Sequence, residues 1–369
     1  MITPPSPAPA TPPHSPVLIG ALAPLSPPGW TEAGQHLLAG LELGIADLDA
    51  AGGVDGRPVE LVVRDTAADP ARATAAVAEL AELGVAALVG EYHSVVARAA
   101  AAGADAHGVP YLCSSAVLDA LVERPTPWVA RLSPPQSRGW RLYGDFLLGA
   151  GHTRVAVASV PTVYWAAGTQ ILREHLAPRG GTVIELDASA LGPQGVCDAL
   201  AAEEATALLL LVGTPDPAVP LVKAVRGDRR LTDVLIGAPA GQPEFSEWAS
   251  LLGDDGAGVP FLRYLPERLT ALGGRVESVL RERLGREPSF VAYEGYDAAT
   301  ALGHVLRSHG TDRARIAEAW ADAEVEGTRG RFGFARTPDT GVWQATGMPL
   351  QVADRDPEHP EHFRVRHTG

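Results

Sequence analysis

Residues 59–94 read VELVVRDTAADPARATAAVAELAELGVAALVGEYHS, and the order of signals in this stretch decides the fold. Val59 to Val63 is a short β-branched run. Asp69-Pro70 then supplies a helix N-cap followed by proline at the first helical position, where a missing N–H costs nothing. The helix it opens runs to Gly84, and Val85 to Val89 is apolar again. Strand, helix and strand within about 30 residues is a parallel βαβ unit, because parallel neighbours need a crossover. Outward from this unit, Val17 to Ala23 (VLIGALA) is a strand. Gly34 to Ala51 sets Leu37, Leu38, Leu41, Ile45 and Leu48 on one helical face, and Gly52-Gly53 stops it. On the other side Ser94 to His107 is a helix and Val109 to Cys113 a strand. Strict alternation of this kind means a parallel sheet covered on both faces.

The pattern resumes after the bend Ser133-Pro134-Pro135. Strands are expected at Val155 to Ser159, Thr182 to Leu186, Ala207 to Val212 and Val234 to Ile236. The matching helices are Gln136 to Ala150, Trp165 to Ala177, Gln194 to Glu203 and Pro217 to Val225. Val259 to Tyr264 follows, then helices near Pro266 to Leu284, Phe290 to Ser308 and Asp312 to Ala321, and short strands from Phe332 onward. The fold class is therefore α/β, with two similar lobes in succession, and 369 residues suffice for a core in each.

Composition narrows the function. A net charge of −14 with no basic stripe argues against nucleic acid and anionic membrane as partners. The single lysine, Lys223, and the absence of asparagine reflect GC-rich coding, so arginine in place of lysine carries little meaning. Cys113 and Cys197 are too few for a disulfide scaffold or a cysteine zinc site. No apolar run approaches the roughly 18 residues of a spanning helix, so no membrane insertion is expected. Residues 1–16 (MITPPSPAPATPPHSP) lack both Lys or Arg and the apolar stretch of a signal peptide. They read as a disordered proline-rich lead-in. The chain as written is expected in the cytoplasm, or outside it if the start codon is misassigned.

The enzyme motifs fail one by one. No G-x-G-x-x-G follows a strand; the first strand runs instead into Pro24-Leu25-Ser26-Pro27-Pro28-Gly29. No phosphate loop precedes Lys223, and neither G-x-S-x-G nor H-E-x-x-H is present. His359 and His362 flank Pro360 in a charged tail and read as solvated. No cofactor and no metal are expected. What remains lies where parallel strands end, which is where open α/β sheets bind ligands. Those loops carry Trp30 with Thr31, Gly90-Glu91-Tyr92-His93-Ser94, Ser114-Ser115, and Thr162 with Tyr164 and Trp165. Ser94 is expected to cap its helix and to offer a hydroxyl beside free N–H groups. Singly, each residue is equally an N-cap, a loop serine or lobe packing; together at four strand ends they favour binding.

These stretches resemble the type I periplasmic binding proteins of the branched-chain amino acid, amide and urea group. The likeness is carried by IGALAPLS, GLELGIADLDAAGGVDGRPVELVVRDTAADP, VAALVGEYHS, GVPYLCSSA and WVARLSP. It continues through TVYWAAGTQILREHLAPRGGTVI, the YEGYDAATAL helix and the GTRGRFGF turn. The resemblance implies two Rossmann-like, doubly wound lobes joined by a three-strand hinge, with crossings near Ser133, Arg263 and Arg336. Lobe one would hold residues 17–132 plus 264–336, and lobe two 133–263 plus 337–369. It implies that Ser94 meets a carboxylate or amide, that Tyr92 matches a tyrosine of amide-sensing members, and that Tyr164 covers the ligand. Two departures matter. No Ser or Thr stands near Ala116-Val117. The loop Ala238-Pro239-Ala240-Gly241 has no acid where amino-acid binders place one for the ammonium, and Glu244 lies too far along.

The functional expectation is a non-enzymatic protein that closes two lobes on a small polar or aromatic-bearing ligand. A cytoplasmic sensor acting through a regulatory protein is the preferred role. The alternative is the solute-binding component of an ABC importer, with a permease as partner, for amino acids, amides or urea. A two-lobe enzyme using Asp65 or Glu91 is the remaining alternative. A buried charge needs a partner, so a neutral amide, urea-like or weakly polar aromatic solute is expected over free leucine, isoleucine or valine.

Overall fold

The computed structural model describes residues 15–369; the expected lead-in, apart from Ser15 and Pro16, lies outside the described residues. The first lobe follows the predicted alternation: β1 (Val17–Ala23), α1 (Thr31–Ala50), β2 (Val59–Asp65), α2 (Pro70–Glu82), β3 (Ala87–Gly90), α3 (Ser94–His107) and β4 (Tyr111–Cys113). Asp69 caps α2 as its sequence requires, accepting the Ala71 N–H at 2.8 Å. β5 (Val129–Arg131) adds a strand that the alternation does not predict. All neighbours among these strands are parallel.

The chain then builds the second lobe from α4 (Gln136–Gly149), β6 (Arg154–Ser159), α5 (Val163–Leu176), β7 (Thr182–Asp187), α6 (Ala188–Ala202), β8 (Ala207–Leu211), α7 (Ala218–Gly227), β9 (Leu235–Gly237) and α8 (Ser246–Leu252). Its parallel sheet has the order β7-β6-β8-β9. α6 starts earlier than expected because the Asp187 carboxylate accepts the N–H groups of Ser189 and Ala190. It breaks at Gly192, φ 62°, just before Pro193, which is where the sequence signal for the helix resumes.

After β10 (Phe261–Arg263) the chain returns to the first lobe with α9 (Ala271–Leu284), α10 (Phe290–His309), α11 (Arg313–Glu318), β11 (Val325–Glu326), β12 (Arg331–Arg336) and β13 (Trp343–Thr346). The first sheet thus has eight strands in the order β11-β12-β13-β5-β4-β3-β1-β2. The crossing expected near Arg336 therefore falls later, after Thr346. A turn at Thr337–Gly341, with Gly341 at φ 70°, folds the chain back so that β13 pairs antiparallel with β12 and parallel with β5. β14 (Gln351–Arg355) and β15 (Phe363–Thr368) form a small antiparallel sheet with β10.

α1 and α10 cross closely. A Cβ on Gly40 would lie 1.9 Å from the Ala292 carbonyl oxygen, and one on Gly295 would lie 2.4 Å from that of Leu37. Cys113 and Cys197 are buried and unpaired, one in each lobe. Among the described residues no helix is long and apolar enough to cross a membrane.

Candidate functional site

The loops that follow the parallel strands of both lobes face one another across a cavity of about 650 Å³. Two carboxylates, half-buried Asp65 and buried Glu91, shape the first-lobe loops. Asp65 accepts the N–H groups of Leu25, Ser26 and Ala67, together with the Ser26 hydroxyl, and so folds the proline-rich segment before α1. Glu91 accepts the N–H groups of Tyr92 and His93 on one oxygen and the Thr66 hydroxyl on the other. Neither carboxylate belongs to the cavity wall. The two acids considered for an enzyme role are thus occupied in holding loops. Burial raises the Glu91 pKa against the pull of those bonds.

Trp30 precedes α1, and its indole lies 4.2 Å from the ring of Phe245 in the second lobe and edge-on to Tyr92. Its backbone N–H donates to His93 Nε2 at 3.2 Å. His93, not Ser94, is the N-cap of α3. Ser94 begins the helix, and its hydroxyl oxygen accepts the N–H groups of Val117 and Leu118, both at 3.3 Å. The expected cap is corrected to a tie between α3 and the loop after β4, which leaves the hydroxyl proton free to donate. Ser115 lines the cavity but Ser114 does not. The Ser114 hydroxyl accepts from Ser115, and its carbonyl accepts the Ser133 hydroxyl. Of the two adjacent serines, the second alone reaches the cleft.

On the second lobe, Thr162 caps α5 by accepting the Trp165 N–H, and Gln136 donates to the Tyr164 carbonyl. This fixes Tyr164 and Trp165 in the first turn, ring centroids 4.7 Å apart, both on the cavity wall. Ala240 is also in the wall, while Glu244 turns away to pair with Arg263 at 3.2 Å. Sequence reasoning passed over Gln242, Glu247, Tyr264 and Phe290, all of which line the cavity. Tyr264 and Phe290 pack with ring centroids 5.0 Å apart. Tyr264 sits just beyond the second crossing and Phe290 starts α10, and their apolar surroundings in the sequence read as core. Among the described residues Glu247 is the single carboxylate of the wall, its pKa raised by partial burial and by nearby Glu32.

Among the described residues the wall holds no Lys or Arg. Burial, with Tyr164 and Glu294 nearby, lifts the Tyr92 hydroxyl well above its ordinary pKa, and burial does the same for Tyr164 and Tyr264. These hydroxyls are neutral donors. Beneath the floor, Arg329 joins Glu294 at 3.2 Å and Asp297 at 2.9 Å, all with fully buried side chains, and donates to the Tyr264 carbonyl. Ser133, at the first crossing, also donates to Glu294. The geometry thus offers neutral hydrogen-bond donors and six aromatic rings around one open cleft shared by two lobes.

Comparisons with known proteins give the arrangement a family. The branched-chain amino acid transporter substrate-binding protein LivJ from Streptococcus pneumoniae, in complex with isoleucine, is similar with a TM-score of 0.81. It is 19% identical, over 95% of this chain and 99% of that one. A leucine-binding protein, LivK, from Thermotoga maritima matches with a TM-score of 0.80 and 21% identity, over 95% and 97%. An ABC-transporter solute-binding protein from R. palustris, in complex with benzoate, matches with a TM-score of 0.78 and 18% identity, over 96% and 97%. No curated protein matches the sequence. A model described as periplasmic binding protein matches residues 16–355. With nearly the whole chain accounted for by that match, and its two lobes meeting around a cavity, the chain belongs to the periplasmic binding protein family.

Proposed function

We propose that the protein is a non-enzymatic receptor whose lobes close on a small solute with an aromatic or apolar body and a neutral polar end, such as an amide or urea-like group. The observation that carries this reading is the wall itself. Trp30, Tyr92, Tyr164, Trp165, Tyr264 and Phe290 surround the cavity, and the loop residue that lines it at Ala240 carries no charge. Aromatic walls gain from stacking and apolar contact, and hydroxyl donors serve a carbonyl oxygen without a formal charge. Ligand binding to the R. palustris and S. pneumoniae proteins supports capture of small organic solutes in this fold. Those proteins are transporter components by name, which supports the importer role over the sensor role expected from the sequence. Permease and ATPase genes beside this one would agree with import; an amidase or an RNA-binding regulator would agree with sensing.

Glu247 favours a second reading, in which its carboxylate meets the ammonium of an amino acid. Thermal shift separates the two. Ligand at 100 times its dissociation constant adds about 2.7 kcal/mol, which raises the melting temperature by several degrees. Acetamide, urea and benzamide are expected to include a stabilising ligand, and leucine, isoleucine and valine are not. A shift with leucine that disappears in Glu247→Gln would establish the amino-acid reading instead.

A further inference from the structure

His93 lines the cavity between Tyr92 and the start of α3, and its ring is held in one tautomer. Nε2 accepts the backbone N–H of Trp30 at 3.2 Å, so in the neutral ring the proton is on Nδ1. Nδ1 has no protein partner among the described residues and is not among the polar atoms sealed from solvent. The Tyr92 ring stands edge-on at 5.3 Å and fixes the imidazole from one side. The ring meets Trp30 and Tyr92, and the first turn of α3 that follows, from Ser94 to Ala97, carries no charge. Glu91 reaches the backbone N–H of His93, and its carboxylate is already filled by three donors. Burial lowers the His93 pKa to about 4, which agrees with a ring that must keep a lone pair for Trp30.

We infer that His93 determines specificity in this cleft: its Nδ1–H donates to a carbonyl or carboxyl oxygen of the solute, while its Nε2 holds the Trp30 loop in place. This rests on the reading of the cleft as a receptor for small aromatic-bearing solutes. It adds that the solute must present an oxygen acceptor at the α3 end, beside Ser94. Both donors there are uncharged, so they serve an amide oxygen without requiring a negative charge. A solute with the same aromatic body and no acceptor gains only the stacking.

The test compares benzamide with indole, which has an N–H but no oxygen acceptor, by isothermal titration at neutral pH. Benzamide is expected to bind the unaltered protein, and His93→Leu to weaken it by about tenfold, while indole, which loses only the support of the Trp30 loop, weakens several-fold less. His93→Asn, which can accept from Trp30 and donate to the solute, should restore most of the loss. In ¹⁵N spectra the neutral ring should show the Nδ1-protonated tautomer, with that nitrogen moving on addition of benzamide. If His93→Leu weakens both probes alike, or neither, the assignment to His93 falls while the receptor reading stands. If neither probe binds the unaltered protein, the receptor reading falls and takes this inference with it.

Discussion

His36 shows how one buried side chain ties stability to pH. Its Nδ1 accepts the Ser289 N–H at 3.0 Å, so the neutral ring carries its proton on Nε2, which has no hydrogen-bond partner and lies 4.0 Å from Glu32. Burial, partly opposed by Glu32, lowers its pKa to about 4 from the ordinary 6.5. Between those values the unfolded chain binds the proton and the folded one does not. Stability therefore falls as pH drops through that window, by roughly 3 kcal/mol once it is complete. Buried carboxylates with raised pKa values, Glu91 among them, act in the opposite sense, so the comparison must be with a variant. His36→Gln should lose less stability than the unaltered protein between pH 7 and pH 4 in urea unfolding. Parallel curves would contradict this. At the residue scale the sequence was legible only in part. It marked Trp30, Tyr92, Ser94, Ser115, Tyr164, Trp165 and Ala240, all of which reach the cavity. It could not tell Ser114 from Ser115, because adjacent residues point to opposite sides and a loop gives no period to choose between them.

Elements were most legible where their signals are local. Asp69-Pro70 fixes the start of α2, and the run Ala207 to Val212 marks β8, because caps and apolar runs need no distant partner. β5 is not foreseen because Val129–Arg131 is too short to show a period, and β13 (Trp343–Thr346) falls only within the general expectation of short strands after Phe332. Their strand character comes from pairing with each other across the sequence. The contact of α1 with α10 makes an element-scale prediction. Helix propensity alone would favour Gly40→Ala by about 1 kcal/mol. The new methyl would meet the Ala292 carbonyl oxygen at 1.9 Å, so the substitution should instead destabilise by about 1–3 kcal/mol or more. Gly274 in α9 has nothing within 4 Å of such a methyl, and Gly274→Ala should stabilise slightly. Opposite signs in denaturant unfolding are expected; matching signs would refute the packing argument.

Over the whole molecule, the crossings are held together by buried and half-buried polar groups. Gln344 donates to the Ser133 carbonyl, Gln351 to that of Leu265, and Arg329 to that of Tyr264 while pairing with Glu294 and Asp297. Arg329→Met leaves two buried carboxylates without their cation and should cost about 3–5 kcal/mol. Chemical denaturation measures it, and a loss below about 1 kcal/mol would contradict the charge-compensation argument. The position of β13 has a further consequence, for synthesis. As the ribosome extends the chain, β1 to β5 can assemble early, but the free edge of β5 has no partner until residues 343–346 emerge. An open strand edge is a template for pairing with another chain. Products that stop short of Trp343 would carry that edge uncovered, so completion of residues 343–346 decides whether nascent chains stay apart or adhere.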